Sequence, residues 1–377
     1  MRWVTYFPKL YNVHLTKDVG LLPYYMRRHG YDVALMTSET GDELHALATE
    51  VRGLQVGTLK DRGKRFFLER SALNFFKTEA KHIDVLNLWH FSRHTLAYGA
   101  WYKKHNPQGR LYLKLDAYNS YLKSRKKFSA NPLKQLAMRR LEKRFHRLVD
   151  LVSVENKEGL EIARATYPEW RDKLIYLPNG CNDIYLKSKY KTTPKKERVI
   201  LSVGRPGSAD KNYELLIAAL PYLNLENWKI RIAGPVSDDF KEGWDKAVSK
   251  YPDAASRIEF LGEITDRDAL YREYSRARVF FLPSRFESFG IAYAEALFFG
   301  NVLVGHKGMA AYQDLCDGGK FGTFFDDNNP ESFADALRQA IAKSEEKAIL
   351  KHIRDHSAAH FSWSKWSKVL ADKLNNV

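Results

Sequence analysis

Cysteine is scarce in this chain. Its 377 residues include only two, Cys181 and Cys316, and these lie far apart in the sequence. That excludes a disulfide framework and the paired spacing of a structural zinc site, and it favours a reducing compartment, the cytoplasm. Long apolar runs are also missing, because none approaches the roughly 18 residues that span a bilayer. The stretch from Arg2 to Phe7 enters a strand pattern directly, so we expect no signal peptide.

Basic residues outnumber acidic residues in the first half of the chain. Residues 1–185 hold 32 Lys and Arg against 19 Asp and Glu, whereas residues 186–377 hold 29 against 26. Residues 123–147 alone contain ten basic residues and one acid, Glu142. Such asymmetry predicts a polyanionic partner, for which nucleic acid and an anionic membrane surface are both candidates. No nucleic-acid motif accompanies the charge, so no nucleic-acid partner is expected.

Strand and helix patterns alternate along the whole chain. Short apolar runs predict these strands: Trp3–Phe7, Tyr31–Met36, Val85–Leu88, Leu111–Leu115, Leu151–Val154, Leu174–Leu177, Val199–Val203, Trp228–Ala233, Ile258–Leu261, Val279–Leu282, Asn301–Val304 and Phe321–Phe325. Helical stretches fill most of the gaps, which predicts α/β domains with parallel sheets covered on both faces. The polar stretch from Lys187 to Lys196 has no periodicity and is interpreted as an interdomain linker.

One basic helix is predicted to start at Asn131-Pro132, a good cap and first-turn pair. Its apolar residues recur at helical spacing and are Leu133, Leu136, Ala137, Leu141, Phe145 and Leu148. We expect this stripe to pack on the sheet of the first domain while the charged face stays in water. The basic face, with a second basic-aromatic patch at Lys60–Phe67, indicates either peripheral contact with an anionic membrane or simple solubility.

Two cations follow the predicted strand at Val199–Val203. Arg205 lies in the loop at its carboxyl end, where open α/β sheets bind ligands, and Lys211 lies just before the next helix. An Arg can grip a phosphate bidentately and a Lys adds a point charge, so the pair suits a diphosphate. The alternative is a solvated Arg and Lys on a basic protein.

Two carboxylates follow the predicted strand at Val279–Leu282. Glu287 lies in the loop before Phe289-Gly290, and Glu295 lies inside the helix that follows. In that arrangement both can face one site, together with the free N–H groups of the helix start. Carboxylates accept hydrogen bonds from sugar hydroxyls. The alternative interpretation makes Glu287 a helix cap and places Glu295 on a solvent face.

These residues resemble those of the retaining glycosyltransferases of family 4, also called group 1. Glu287 and Glu295 match the Glu-x7-Glu signature, and Arg205 and Lys211 match the cation pair. Further landmarks are Pro178-Asn-Gly180, Lys211-Asn212, Ala233-Gly234-Pro235, Phe260-Leu-Gly262 and Phe361-Ser-Trp363. The resemblance is strong over residues 150–375 and weaker over 1–150.

The resemblance implies a GT-B fold, with two Rossmann-like parallel-sheet domains facing a central cleft. It places an acceptor-side domain at 1–187, a linker at 188–198, a nucleotide-sugar domain at 199–358 and a helix at 359–377 that packs back on the first domain. Arg205 and Lys211 would bind the donor diphosphate, Glu287 the transferred hexose and Glu295 the ribose. Backbone amides of Phe289, Gly290 and Ile291 would face sugar and phosphate.

The resemblance also implies catalysis without a bound metal or other cofactor, in which the leaving phosphate oxygen takes the acceptor's proton. The sequence departs from the family pattern on the acceptor side. The loop before the first helix has one glycine, Gly20, instead of a Gly-Gly pair. Asp116 stands where many members have a His. Asp116 either binds a sugar hydroxyl, as a further catalytic candidate, or pairs with Lys114 or Arg93. His90 and His94 are interpreted as structural.

The expected function is therefore transfer of a hexose, with retention, from a nucleotide sugar that we expect to be UDP-linked. The basic first domain suggests a saccharide or lipid-linked acceptor beside the inner face of the plasma membrane, in cell-surface polysaccharide synthesis. Two alternatives stay open at this point. One is a non-catalytic GT-B partner subunit, and the other is a basic nucleic-acid-binding protein.

Overall fold

The structure is a computed structural model that describes residues 1–60, 62–125, 127–190 and 195–377. The chain divides into two compact units. The N-terminal unit comprises Met1–Tyr185 together with Trp363–Val377, and the C-terminal unit comprises Leu186–Ser362. Each unit is built on its own parallel sheet.

The N-terminal unit contains a seven-stranded parallel sheet in the order β11-β10-β9-β8-β1-β3-β5. Two small pairs, β2 with β4 and β6 with β7, lie outside it. The strands are β1 (Arg2–Tyr6), β2 (Lys9–Leu10), β3 (Asp32–Thr37), β4 (Glu39–Thr40), β5 (Gln55–Thr58), β6 (Lys64–Arg65), β7 (Leu68–Glu69), β8 (Val85–Trp89), β9 (Arg110–Leu115), β10 (Leu151–Val154) and β11 (Leu174–Tyr176). Every residue of β8 is buried, as expected for a strand covered on both faces.

Helices cover both faces of this sheet. They are α1 (Asn12–Leu15), α2 (Asp18–Met26), α3 (Arg70–Glu79), α4 (Arg93–His105), α5 (Asn119–Leu122), α6 (Pro132–Leu148) and α7 (Lys157–Thr166). Helix α8 (Asp183–Lys189) contains the boundary between the units. The last helix, α17 (Trp363–Asn375), packs against α2 and buries Trp363 and Leu370 in the N-terminal unit.

The C-terminal unit has a six-stranded parallel sheet in the order β14-β13-β12-β15-β16-β17. Its strands are β12 (Val199–Val203), β13 (Lys229–Ala233), β14 (Ile258–Gly262), β15 (Val279–Phe281), β16 (Val302–His306) and β17 (Gly322–Phe325). Its helices are α9 (Glu214–Ala219), α10 (Asp238–Lys250), α11 (Pro252–Ala255), α12 (Arg267–Arg276), α13 (Ile291–Phe298), α14 (Ala310–Leu315), α15 (Pro330–Glu345) and α16 (Ile349–His360). The α/β architecture with two Rossmann-like sheets is thereby confirmed, including all twelve predicted strands.

The structural boundaries differ from the predicted ones by a few residues. Helix α8 runs over the position predicted to end the first domain, residue 187. Residues 191–194 of the predicted linker lie outside the described residues. The predicted terminal helix from residue 359 begins within α16, which ends at His360, and α17 starts only at Trp363.

The predicted packing of the basic helix is wrong for its first half. In α6, Phe145 is fully buried, but Leu133 is 79% exposed and Leu136 is 53% exposed. The helix packs against α4, where Gly99 lets the Phe145 ring approach closely. The first turns of α6 lie beyond that contact, so their apolar residues remain in solvent.

Replacing Gly99 with Ala should test this contact. The new Cβ would lie 2.7 Å from the Phe145 ring and 2.8 Å from Leu111, so overpacking should outweigh the gain in helix propensity. We expect a loss of about 1–2 kcal/mol in the free energy of unfolding. Gly243→Ala in α10 is the matched control, since its nearest neighbour would be 3.7 Å away. Urea unfolding should show stabilisation there, and equal effects at both sites would contradict the assigned packing.

Candidate functional site

The strand order of the C-terminal sheet reverses direction at β12 and β15. Connections from β12 lead outward through β13 to β14, whereas those from β15 lead the other way through β16 to β17. The loops that leave the carboxyl ends of β12 and β15 therefore separate to opposite faces and open a crevice, which is where open α/β sheets bind ligands. Arg205 and Lys211 lie in the first of these loops, and Glu287 lies in the second.

Two hydrogen bonds fix these loops to each other. The Arg285 amide donates to the Asp210 carbonyl at 3.0 Å. The side-chain amide of Asn212 donates to the Pro283 carbonyl at 3.3 Å, and Asn212 is 3% exposed with a φ of 53°. Asn tolerates the left-handed region better than most residues, which explains its use directly after Lys211. The residues of both loops are therefore held in one arrangement.

Lys211 and Glu287 meet in this crevice. The Lys211 ammonium contacts Oε1 of Glu287, and Ser284 donates a hydrogen bond to the same oxygen at 2.9 Å. The side chains of Lys211 and Glu287 are 18% and 14% exposed. A charge-assisted contact of this kind, partly shielded from water, holds the two side chains in a fixed orientation. The structure thus brings together one predicted cation and one predicted carboxylate.

Arg205 lies beside them but is far more exposed. Its guanidinium is 3.6 Å from Asp210, and Lys211 is 3.7 Å from the same carboxylate. Burial raises the pKa of Asp210, but the Ser208 hydroxyl, Lys211 and Arg205 lower it more, so the net pKa lies below the usual range. Asp210 is therefore anionic at neutral pH and occupies the position between the two cations.

Glu295 occupies a separate position, in the second turn of α13. It is 7% exposed and forms an ion pair with Arg267 from α12. The Arg267 guanidinium also donates to the Tyr271 hydroxyl at 2.6 Å and lies 4.6 Å from that ring's centre. The predicted solvent-facing alternative for Glu295 is therefore wrong, because the carboxylate is buried beside a cation. Its predicted contact with ribose stays a prediction.

The start of α13 supplies backbone donors. Gly290 precedes the helix with a φ of 82°, a conformation that costs glycine little. The Tyr293 N–H donates to the Gly290 carbonyl at 2.9 Å, whereas the N–H groups of Ile291 and Ala292, at the first two positions, have no helical carbonyl to donate to and suit an anion or a polar ligand. The Phe289 side chain is 1% exposed and packs near Phe361, so only its backbone can serve the site.

Asp116 belongs to the N-terminal unit, where it follows β9. Its predicted pairing with Lys114 is wrong, because the buried Lys114 ammonium lies 2.7 Å from Glu155 and 3.5 Å from Asp18. Burial lowers the pKa of Lys114, but these two carboxylates raise it more, so the ammonium stays charged. The Arg93 guanidinium lies over the Phe67 ring instead, 5.0 Å from its centre. No ion pair involves Asp116 in the part of the chain that the structure describes.

Sequence reasoning missed Arg267, Asp210 and Ser284. Arg267 sits within Asp266-Arg-Asp268, which resembles a metal motif, but Asp266 caps α12 and Asp268 pairs with Lys189 at 3.0 Å. Only the fold shows that Arg267 faces Glu295. Asp210 could have been found from the sequence, because it lies between Arg205 and Lys211 and carries the opposite charge.

The described ranges contain no group of three or more His, Cys, Asp and Glu side chains placed to hold a metal ion. Within the same ranges, no helix combines the length and the apolar character needed to cross a membrane.

Comparisons with known proteins agree with this architecture. Residues 186–353 match the family model described as glycosyl transferases group 1. The glycogen synthase of Francisella philomiragia is 27% identical over 192 residues, which are 48% of this chain and 38% of that enzyme. The chain spans less than half the length of the curated relatives it matches.

Solved structures match over the full chain. Anabaena HepE in complex with UDP-glucose aligns with a TM-score of 0.71 and 15% identity, covering all of both chains. The lipopolysaccharide outer core galactosyltransferase WaaB aligns with a TM-score of 0.69 and 14% identity, covering 100% of this chain and 99% of that one. At such identities the likeness shows the fold alone, and that fold is GT-B, as predicted.

Neutralising Asp210 should strengthen the binding of inorganic pyrophosphate. Asp210→Asn keeps an acceptor for Ser208 but removes the anion between Arg205 and Lys211. Removing one repulsive charge at this distance is worth about 1 kcal/mol, or about fivefold in affinity. Isothermal titration calorimetry at fixed ionic strength would measure it. The control is Asp238→Asn on α10, whose exposed carboxylate pairs with Lys241. Unchanged or weaker binding by the Asp210 variant would contradict this view of the site.

Proposed function

Because residues 186–353 form a domain of the glycosyl transferases group 1 on a GT-B fold, we propose that the protein transfers a hexose from a nucleotide sugar to a saccharide or lipid-linked acceptor. The observation that carries this proposal is the convergence of Lys211 and Glu287 at the carboxyl edge of β12 and β15. A cation for phosphate and a carboxylate for sugar hydroxyls lie side by side there, as a sugar bonded to a diphosphate requires.

The proposed donor is UDP-linked. The support is that Anabaena HepE, which shares the fold, was solved with UDP and with UDP-glucose. In our proposal Arg205 and Lys211 bind the diphosphate, and the Ile291 end of α13 donates N–H groups to phosphate or sugar. Glu287 accepts a hydroxyl of the hexose, and Glu295, held by Arg267, accepts from the ribose.

Charge development gives the cations a catalytic role. As the glycosidic bond breaks, negative charge grows on the leaving diphosphate, and a cation already positioned there lowers the barrier. Glu287 orients Lys211 before the donor arrives, so less reorganisation is needed during the reaction. We propose that the reaction retains the anomeric configuration and needs no metal, with the leaving phosphate oxygen accepting the proton of the acceptor hydroxyl.

Removing the Lys211 charge tests the proposal. For Lys211→Met we expect kcat/KM for UDP-hexose turnover, with water or saccharide as acceptor, to fall by about 30-fold or more, equivalent to about 2 kcal/mol. Lys241→Met on the exposed face of α10 should leave activity unchanged. EDTA should also leave it unchanged, and NMR of the first product should show the donor's anomeric configuration.

The double variant Lys211→Met with Glu287→Gln removes the unpaired carboxylate that the single change leaves behind. If the double variant folds like the wild type and still turns over normally, the proposed roles of both residues fail. Tight nucleotide-sugar binding without any turnover by the wild type would instead indicate a non-catalytic partner subunit.

The acceptor is proposed to lie at an anionic membrane surface, in cell-surface polysaccharide synthesis on the cytoplasmic side. The support is the first half of α6, where exposed Leu133 and Leu136 share one helical face among exposed basic residues such as Lys134 and Arg140. Apolar side chains beside Lys and Arg suit the boundary between headgroups and acyl chains. The resemblance in fold to WaaB, a lipopolysaccharide galactosyltransferase by its description, is consistent with such an acceptor.

Polar substitution of the exposed leucines tests this contact. Leu133→Ser with Leu136→Ser should lower sedimentation with phosphatidylglycerol vesicles by about tenfold, because two partly buried apolar side chains are lost. Both residues are exposed, so stability should not change. Tyr222→Ser, at a residue 47% exposed in the C-terminal unit, is the control. Equal binding by all three proteins, or no preference over phosphatidylcholine, would remove the membrane surface from the proposal.

A further inference from the structure

Three charged side chains are enclosed together in the N-terminal unit. Lys114 on β9, Glu155 directly after β10 and Asp18 in the first turn of α2 are 0%, 2% and 6% exposed. The Lys114 ammonium lies 2.7 Å from Oε1 of Glu155 and 3.5 Å from Oδ2 of Asp18. With both carboxylates ionised, the cluster carries one net negative charge away from water, which is costly. None of the three takes part in the proposed transfer reaction.

The hydrogen bonds of Glu155 leave one of its oxygens without a donor. Oε1 accepts from Lys114 at 2.7 Å and from the side-chain amide of Asn179 at 2.8 Å. Asn179 is 3% exposed and lies in the loop between β11 and α8. Among the described residues, neither Oε2 of Glu155 nor Oδ1 of Asn179 has a partner, although both atoms are buried. Two buried acceptors without a donor are unfavourable, so the component that this site lacks is a hydrogen.

Asp18 is better supplied with favourable contacts than Glu155. Its Oδ2 accepts a hydrogen bond from the indole N–H of Trp89 at 3.2 Å. Its position in the first turn of α2 places it at the positive end of the helix dipole, which stabilises an anion. A single proton shared by the two acids therefore belongs on Glu155. A proton there cancels the excess charge and gives Oε2 a hydrogen to donate.

The surroundings of Glu155 favour its protonated form. Burial raises its pKa, the Lys114 ammonium lowers it by less, and Asp116 and Asp18 raise it again, which leaves the pKa at about 8. Lys114 cannot neutralise both acids, because they share its one charge. Other titratable side chains on the elements packed around this cluster are Tyr112 on β9, Tyr176 on β11, His14 on α1, and Lys157 and Glu158 on α7, of which the last two are exposed.

We propose that Glu155 is a buried proton-binding site whose proton holds residues 177–182 on the sheet, so that the N-terminal unit loses stability as the pH rises. A protonated carboxyl and a carboxamide can share two hydrogen bonds, whereas ionisation leaves two acceptors and an extra charge in a buried place. The unfolded chain releases this proton near the ordinary pKa of 4.5, but the folded unit keeps it to about pH 8. The stabilisation is complete below the unfolded pKa and is lost as the pH approaches the folded pKa, by up to about tenfold per pH unit in the folding equilibrium constant.

Carbon-13 NMR of protein labelled at the δ-carboxyl of Glu observes this proton directly. We expect one Glu carboxyl signal of the wild type to remain at its protonated position at neutral pH and to titrate near pH 8. The same signal should be missing from Glu155→Gln, which assigns it. If every Glu carboxyl of the wild type is ionised at neutral pH, the proposal is overturned. That outcome needs only the wild-type protein, so it holds even if the variant does not fold.

Hydrogen exchange of peptides that cover β10 and residues 177–182 measures the effect on stability. Glu155→Gln keeps the shape of the protonated side chain and cannot ionise, so its protection relative to the wild type should rise by about tenfold or more from about pH 5 to pH 8. Comparing the proteins at each pH cancels the intrinsic pH dependence of exchange. Glu161→Gln on α7 is the matched control, because its carboxylate is 70% exposed, and its ratio to the wild type should stay constant. A constant ratio for Glu155→Gln as well would overturn the proposal, and neither measurement depends on transferase activity.

Discussion

The parallel strand order of each sheet determines where this protein can hold a ligand. In a parallel sheet every strand ends at the same edge, and the backbone groups there are not all used by the ladder. Where the order reverses, the two central loops separate and leave room for a ligand. The C-terminal sheet reverses at β12 and β15, and the N-terminal sheet reverses at β1 and β8. Lys211 follows β12 and Glu287 follows β15, so both side chains of the candidate site lie at the carboxyl edge of the C-terminal sheet.

The ion pair of Lys211 and Glu287 depends on that geometry. The two residues are 76 positions apart in the chain, yet their side chains meet because β12 and β15 are adjacent. A partly buried pair contributes little net stability, since dehydration offsets much of the attraction. The main effect of the pair is to fix the direction of the two side chains, and its contribution to stability is secondary. The same applies to Glu295 and Arg267, where a buried carboxylate is held by a guanidinium from the neighbouring helix α12.

Much of the fold could be predicted from the sequence because buried parallel strands are short apolar runs with clear ends. Val199–Val203 and Val279–Leu282 are examples, and the cations and carboxylates after them were found from position alone. β5 was missed because Gln55–Thr58 is half exposed and polar at both ends. The packing of α6 was wrong because helical spacing shows which residues share a face, but not how far the neighbouring helix extends along it.

The partners of the site residues could not be predicted, since they come from distant parts of the chain. Arg267 and Glu295 are 28 residues apart on two helices, and nothing in either local pattern links them. One of the alternatives for Asp116 pairs it with Lys114, two residues away. Residues two apart on a strand do share a face, but the buried ammonium is satisfied by Glu155 on the loop after β10 and by Asp18 on α2. The partners of a buried cation come from the elements packed around it. The sheet order determines which elements those are. Asp116 instead contributes its backbone carbonyl, which accepts a hydrogen bond from Nδ1 of His90 at 3.1 Å.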